Sequence, residues 1–164
     1  MLITQSELYK ALPVGNNLDF KTIQSSIDVV ERKTLVDLLG HALLTEITTQ
    51  YNSNTLTPEN ADLRTSYLIN VISWEALYRS LNFIHTRIDS LGVVQNKATT
   101  TDSTDLDSLR NISEDIKNRA LDYYNICKDF LECNRNLYPL YGCSNRDEHT
   151  SQIYFPKRDL RLNI

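Results

Sequence analysis

Apolar side chains recur along this chain in steps of three and four, the repeat that gathers residues onto one face of an α-helix. Phe20, Ile23, Ile27 and Val30 form the first such run, followed by Leu35, Leu38 and Leu39; after Gly40 the spacing resumes with Leu43, Leu44, Ile47 and Tyr51. This predicts a helix from near Asp19, a break at Gly40 and a second helix. Ahead of them, Thr4 with Glu7 three residues later has the form of a capping box, so a short helix should start there and stop before Pro13. Thr57 followed by Pro58 supplies an N-cap with proline at the first helical position, where its missing N–H does no harm.

The long helix expected from Pro58 carries two apolar tracks. Tyr67, Val71, Trp74, Tyr78, Leu81 and Ile88 form one, and Leu63, Leu68, Ile72, Leu77 and Ile84 widen it. Such breadth predicts a central helix contacted from more than one side. Gly92 ends the pattern, Gln95 to Asp105 reads as a polar exposed loop, and a last helix is expected from about Asp105 to Asn134 with Leu109, Ile112, Ile116, Ala120, Tyr123, Cys127 and Leu131 inward. All eight glycines and prolines fall where the apolar pattern breaks, which leaves the intervening segments free to be helical. The fold class predicted is all-α: a helical bundle of about five helices with one long central helix, a polar loop before the last helix and an extended C-terminal tail. Residues 1–143 form the helical domain and 144–164 the tail.

Composition changes this picture little. With 164 residues, 41% hydrophobic and 23% charged, the chain is long enough for one self-sufficient core. A net charge of -4 argues against a dedicated nucleic-acid binder. The start, Met1 to Leu12, lacks the pattern of a signal peptide, no stretch approaches the length of a bilayer span, and the three cysteines do not form a secreted disulfide framework. A soluble protein folding in a reducing compartment is expected.

No convergent chemistry stands out. There is no Gly-rich phosphate loop, no Gly-x-Ser-x-Gly elbow and no His-Glu-x-x-His helix, and His41, His85 and His149 are scattered. Cys127, Cys133, Cys143 and His149 have the atom types for zinc, but gaps of six, ten and six do not provide the close ligand pairs that structural zinc sites use. Asp102, Asp105 and Asp107 lie where the last helix should begin and suit its N-terminal dipole, while Glu114 and Asp115 fall on its charged surface. The expectation is a protein that is not an enzyme and holds no metal or cofactor.

The tail is different in kind. Ile153, Tyr154, Phe155, Leu160, Leu162 and Ile164 are apolar, Pro156 prevents a helix throughout, and Asp159 to Ile164 alternates polar with apolar residues, the repeat of a strand with one buried face. Side-chain burial competes poorly with the entropy of ordering such a segment unless a neighbour also supplies backbone hydrogen bonds, as in strand addition to an open sheet edge. Tyr138 and Tyr141 precede it, within a tyrosine-rich region that suits interfaces. The expected partner-binding residues are Tyr138, Tyr141, Ile153, Tyr154, Phe155, Arg158, Leu160, Leu162 and Ile164; the alternative is that the tail folds back over the chain's own helices.

The opening LITQSELYKAL, the segment LDFKTIQSSIDVVERKTLVDLLGHALLTEI with its Leu-Leu-Gly break, the turn IDSLGVV and the closing DYYNICKDFLECN are spread over residues 1–135. In these features the chain resembles the head-tail connector (head completion, adaptor) proteins of tailed phages of Bacteroides-type bacteria. The resemblance implies a structural virion protein that forms a homo-oligomeric ring, commonly twelvefold, at the portal vertex or neck. Its partners would be itself, the portal protein and other neck or tail proteins, with only non-specific contact with DNA in the lumen and none with a membrane. It would reside in the virion at the head-tail junction and in the host cytoplasm during assembly. The alternative is a soluble bacterial helical adaptor or regulator that binds one protein partner.

Overall fold

A computed structural model describes residues 1–13, 20–89, 92–95 and 106–142; side chains are described outside 82–95 and 106–109. The helical elements are α1 (Gln5–Ala11), α2 (Phe20–Val29), a π-helical turn (Val30–Thr34), α3 (Leu35–Leu39), α4 (His41–Asn52), α5 (Pro58–Asp62), a second π-helical turn (Leu63–Leu68), α6 (Ile69–His85) and α7 (Leu106–Cys133). Because each π-helical turn joins the helices on either side of it, these segments make five helical rods, a helical bundle of the class the apolar pattern predicts. The expected loop before α7 and the tail lie outside the described residues, apart from Gln95.

Local chemistry accounts for the helix starts. The Thr4 hydroxyl accepts from the Glu7 N–H at 3.3 Å while the Glu7 carboxylate accepts from the Thr4 N–H at 2.8 Å, completing the capping box. Thr57 Oγ1 accepts from the Asn60 N–H at 3.2 Å, with Pro58 at the first helical position. Gly40 stands at φ 80° and ψ 159°, a conformation essentially restricted to glycine, and it turns the chain from α3 into α4.

The π-helical turns have a packing reason. Val30 and Leu35 are five residues apart, as are Leu63 and Leu68, and all four are fully buried. Five residues of α-helix rotate by about 140°, which would carry the second member of each pair off the buried face. Backbone bonds from Leu35 N–H to Val30 O and from Ile69 N–H to Arg64 O widen the turn and return both members to the core.

The central rod is enclosed as its two apolar tracks imply. Val71, Ile72, Trp74 and Leu77 are buried, and so are Ser73, Ala76 and Ser80. The Ser80 hydroxyl bridges to Ser26 Oγ at 2.8 Å where α2 crosses α6, and it also lies 2.7 Å from Ala76 O. Along α7 the inward residues include Ala120, Cys127 and Leu131. Rings line the α6–α7 seam: Tyr67 stacks on Phe130 at 4.2 Å, Trp74 on Tyr123 at 6.1 Å, and Tyr138 meets Phe130 edge-on at 5.9 Å. Pairing of Tyr67 with Phe130 and of Trp74 with Tyr123 makes the two helices antiparallel.

Two expectations are corrected. Ile112, expected inward on the last helix, is 47% exposed, at the margin of the arc of α7 that the other helices cover. Ile88 does not continue the stripe of the central helix, because α6 ends at His85 and the chain then forms a hairpin of β1 (Thr86–Asp89) and β2 (Gly92–Gln95). The antiparallel register sets Thr86 opposite Gln95, Arg87 opposite Val94, Ile88 opposite Val93 and Asp89 opposite Gly92. Thr86, Ile88, Val93 and Val94 are β-branched, so the residue types favour strand on both sides of a two-residue connection.

Candidate functional site

A concave, mostly apolar surface lies where the first π-helical turn and α3, α6 and α7 meet. A groove of about 380 Å³ is lined by Lys33, Asp37, Val71, Tyr78, Ala120, Leu121 and Tyr124, among others. Its walls are mostly carbon. Glu75 and Arg79, one helical turn apart on α6, close one side with an ion pair of 2.7 Å. Burial, and then the nearby Asp37 charge, push the Tyr124 hydroxyl above its usual pKa, so it stays a neutral donor or acceptor on the groove wall. Concave apolar surface with a few polar groups suits a docked side chain or segment.

Helix α7 continues this surface beyond the groove. Leu121 is 55% exposed on the groove side, whereas Ile112 and Ile126 are 47% and 52% exposed. Ile112, Arg119, Ile126 and Cys133 recur every seven residues, which drifts by only about 20° per step, so they share one flank. Leu121 projects roughly 180° from Ile112. The buried stripe of α7 is therefore bordered by exposed apolar residues on two different sides, and Leu137 adds a further one just past the helix.

The expected partner-binding residues fare unequally. Tyr138 is only 3% exposed: its ring packs on Phe130, its hydroxyl donates to Glu59 O at 2.9 Å, and burial, ahead of the Asp62 and Glu59 charges, pushes its pKa up to about 12. It belongs to the chain's own core, which corrects its assignment to a surface. Tyr141 is half-buried with the Arg135 guanidinium 5.5 Å from its ring centre, and it lines a smaller hollow with Asp37, Gly40 and His41. Ile153, Tyr154, Phe155, Arg158, Leu160, Leu162 and Ile164 lie outside the described residues.

Arg64 and the carboxylates around the N-terminal segment are spent on structure. Arg64 is buried; its Nε donates to Leu2 O at 2.8 Å, its terminal nitrogen lies 2.8 Å from both Glu7 carboxylate oxygens, and its guanidinium sits 4.4 Å over the Tyr51 ring. Glu31 accepts from the Leu2 N–H on the opposite side of that segment. Cys127 is buried with its thiol pushed up to about 12 by desolvation, and Cys133 is exposed. Cys143 and His149 lie outside the described residues. No group of three or more metal-binding side chains occurs among the described residues, and no helix there is long and apolar enough to cross a membrane.

No curated protein and no solved structure matches this chain. A family model described as a family of unknown function (DUF6712) matches residues 35–151, well over half of the chain. The match spans α3 to α7, and so includes both exposed flanks of α7 and the groove except for the part that the first π-helical turn contributes. The chain belongs to DUF6712.

Proposed function

We propose that this DUF6712 protein is a structural assembly subunit, a ring-forming component of the head-tail junction of a tailed phage that joins the portal to the next neck or tail protein. The observation that carries the reading is the pair of exposed apolar flanks on α7, Ile112 with Ile126 on one side and Leu121 on the other. A twofold dimer needs one self-complementary patch, whereas a ring needs two different patches that fit each other, because each subunit meets two neighbours through unlike surfaces. One helix with apolar residues on both sides of its buried stripe meets that requirement.

The resemblance to head-tail connectors supplies the rest: the virion setting, the portal and neck partners, and DNA in the lumen. A net charge of -4 suits a passage that should not grip phosphates tightly. Native mass measurement and electron microscopy of the purified full chain, alone and with portal protein, test the reading. A closed ring in either sample supports it. A monomer or dimer in both overturns it and favours the adaptor binding a single protein, for which the groove offers the docking place.

A further inference from the structure

Charge is shared unevenly between the two flanks of α7. Several charges are already matched within the chain: Glu75 with Arg79, Asp115 with Arg119, and Lys128 with Glu132. Arg110 and Glu114, one turn apart on the Leu121 side, offset each other. Lys33 and Lys117 on the groove, and Asp122 and Asp129 one turn either side of Ile126, are exposed and form no ion pair among the described residues. Only Asp37 stands against the two groove lysines. One flank is thus left acidic around an exposed isoleucine, and the other basic around an apolar hollow.

Height along the helices agrees with this charge pattern. Because Trp74 stacks on Tyr123 and Tyr67 on Phe130, positions on α6 and α7 can be matched by level, and Val71, a buried residue lining the groove, falls level with Ile126. In a closed ring whose axis runs along α7, successive subunits are rotated without being shifted, so Ile126 of one copy arrives at the height of the next copy's groove. The chain cannot make this contact with itself, since Leu121 and Ile126 project about 140° apart from one helix. Its own tail is a poor match in charge: from Ile153 to Ile164, Lys157, Arg158 and Arg161 outnumber Asp159 and repel a rim of the same sign.

We infer that the groove beside Leu121 receives Ile126 from α7 of a second copy of this chain, with Asp122 and Asp129 of that copy meeting Lys33 and Lys117 on the rim. The α7 helices then stand side by side and parallel around the ring. The inference rests on the ring reading and names the contact that joins one subunit to the next. Leu121 and Val71 supply the apolar seat, and the charges set direction and register, so that a flank meets a groove and not another flank.

The test reverses charges in the full-length chain. Lys33→Glu with Lys117→Glu makes a groove variant, Asp122→Lys with Asp129→Lys a flank variant, and all four together a swapped variant; every site is exposed, so monomer stability should change little. Native mass and electron microscopy, with portal protein present and absent, should show each double variant assembling at least about tenfold more weakly than the wild type. The swapped variant should recover rings. So should a mixture of the groove and flank variants, where a reversed rim faces a reversed flank and a native rim a native one. A benzophenone label on Thr34→Cys, placed in the groove after Cys133→Ser and Cys143→Ser, should attach to residues 119–129 of a second chain. Attachment to the chain's own tail, to portal protein or to any other segment overturns the inference. Wild-type rings alongside double variants that still form them, or alongside a swapped variant that stays dispersed, overturn the contact and leave the ring reading standing. Wild type that is a monomer or dimer in every sample overturns both.

Discussion

One guanidinium nitrogen of Arg64 lies 2.8 Å from both carboxylate oxygens of Glu7, a contact across 57 residues of sequence that fastens α1 to the central rod. Arg64 is buried and Glu7 less so, with side-chain exposures of 9% and 27%. Removing the carboxylate therefore strands a buried cation. Glu7→Gln should cost about 3 kcal/mol in urea unfolding. Arg64→Lys should recover little, because an ammonium cannot engage Glu7, Leu2 O and the Tyr51 ring together.

The same carboxylate makes stability acid-sensitive. Burial raises the Glu7 pKa, but the Thr4 N–H, Arg64 and the Thr4 hydroxyl together outweigh it and hold the group below 4.5. A depressed folded pKa contributes stability that is fully present above the unfolded value and is lost as pH falls through the folded one. The wild-type urea midpoint should therefore fall below about pH 4.5, and Glu7→Gln should flatten that part of the profile. Parallel profiles for the two proteins would refute the assignment.

Tyr138 gives the alkaline counterpart. Burial holds its hydroxyl near 12 against an ordinary value of 10.0, so the neutral form is favoured in the folded chain. That contribution is complete below the unfolded pKa and is lost as pH rises toward 12. Tyr138→Phe should cost about 1 kcal/mol at neutral pH through the lost bond to Glu59 O, and weaken the alkaline decline. Cys127 titrates in the same window, so the comparison is best made with Cys127→Ala as a second background.

Much of this architecture could be read from residue types alone, because its signals are local. Thr4 with Glu7, Gly40, and Thr57 with Pro58 each act within one turn of chain, and each does in the structure what the sequence implies. The π-helical turns were not read from the sequence, because Val30 with Leu35 and Leu63 with Leu68 pass for members of ordinary helical tracks until the core shows that both of each pair are buried. Arg64 was not legible as buried, since its compensating groups come from α1, 57 positions away. Tyr138 was misplaced because a buried tyrosine and an interface tyrosine look alike in sequence, and only the Glu59 carbonyl distinguishes them. The exposed flanks of α7 were hidden for a related reason: Ile112 reads as part of the inward stripe until the other helices define which arc of α7 they cover.

Gly40 offers a test of the backbone alone. With φ 80° and ψ 159° it occupies a region that a side chain makes costly, by about 1–3 kcal/mol for a single residue. Gly40→Ala should lose that much in urea unfolding, with the helical circular dichroism signal retained because α3 and α4 are individually intact. A neutral result would mean that the α3–α4 turn relaxes to another conformation without disturbing Leu39 and Leu43, both buried beside it.

The two flanks of α7 make a sharper prediction than loss of assembly. Ile126→Asp places a charge on one flank and Leu121→Asp on the other, and both side chains are already about half exposed, so neither substitution should lower monomer stability by more than about 0.5 kcal/mol. In a ring built from unlike contacts, each variant alone loses the interface, since one half of every contact is damaged. Mixed together they differ from either alone. The intact Leu121 flank of an Ile126→Asp subunit can meet the intact Ile126 flank of a Leu121→Asp subunit, but neither product has a sound flank left to extend. Native mass spectrometry of the mixture should show a discrete heterodimer and no larger species, with monomers in each parent sample. Rings persisting in either single variant would place the interfaces elsewhere on the bundle. Homodimers of one variant would show instead that one flank pairs with itself, which is a twofold contact and cannot generate the ring.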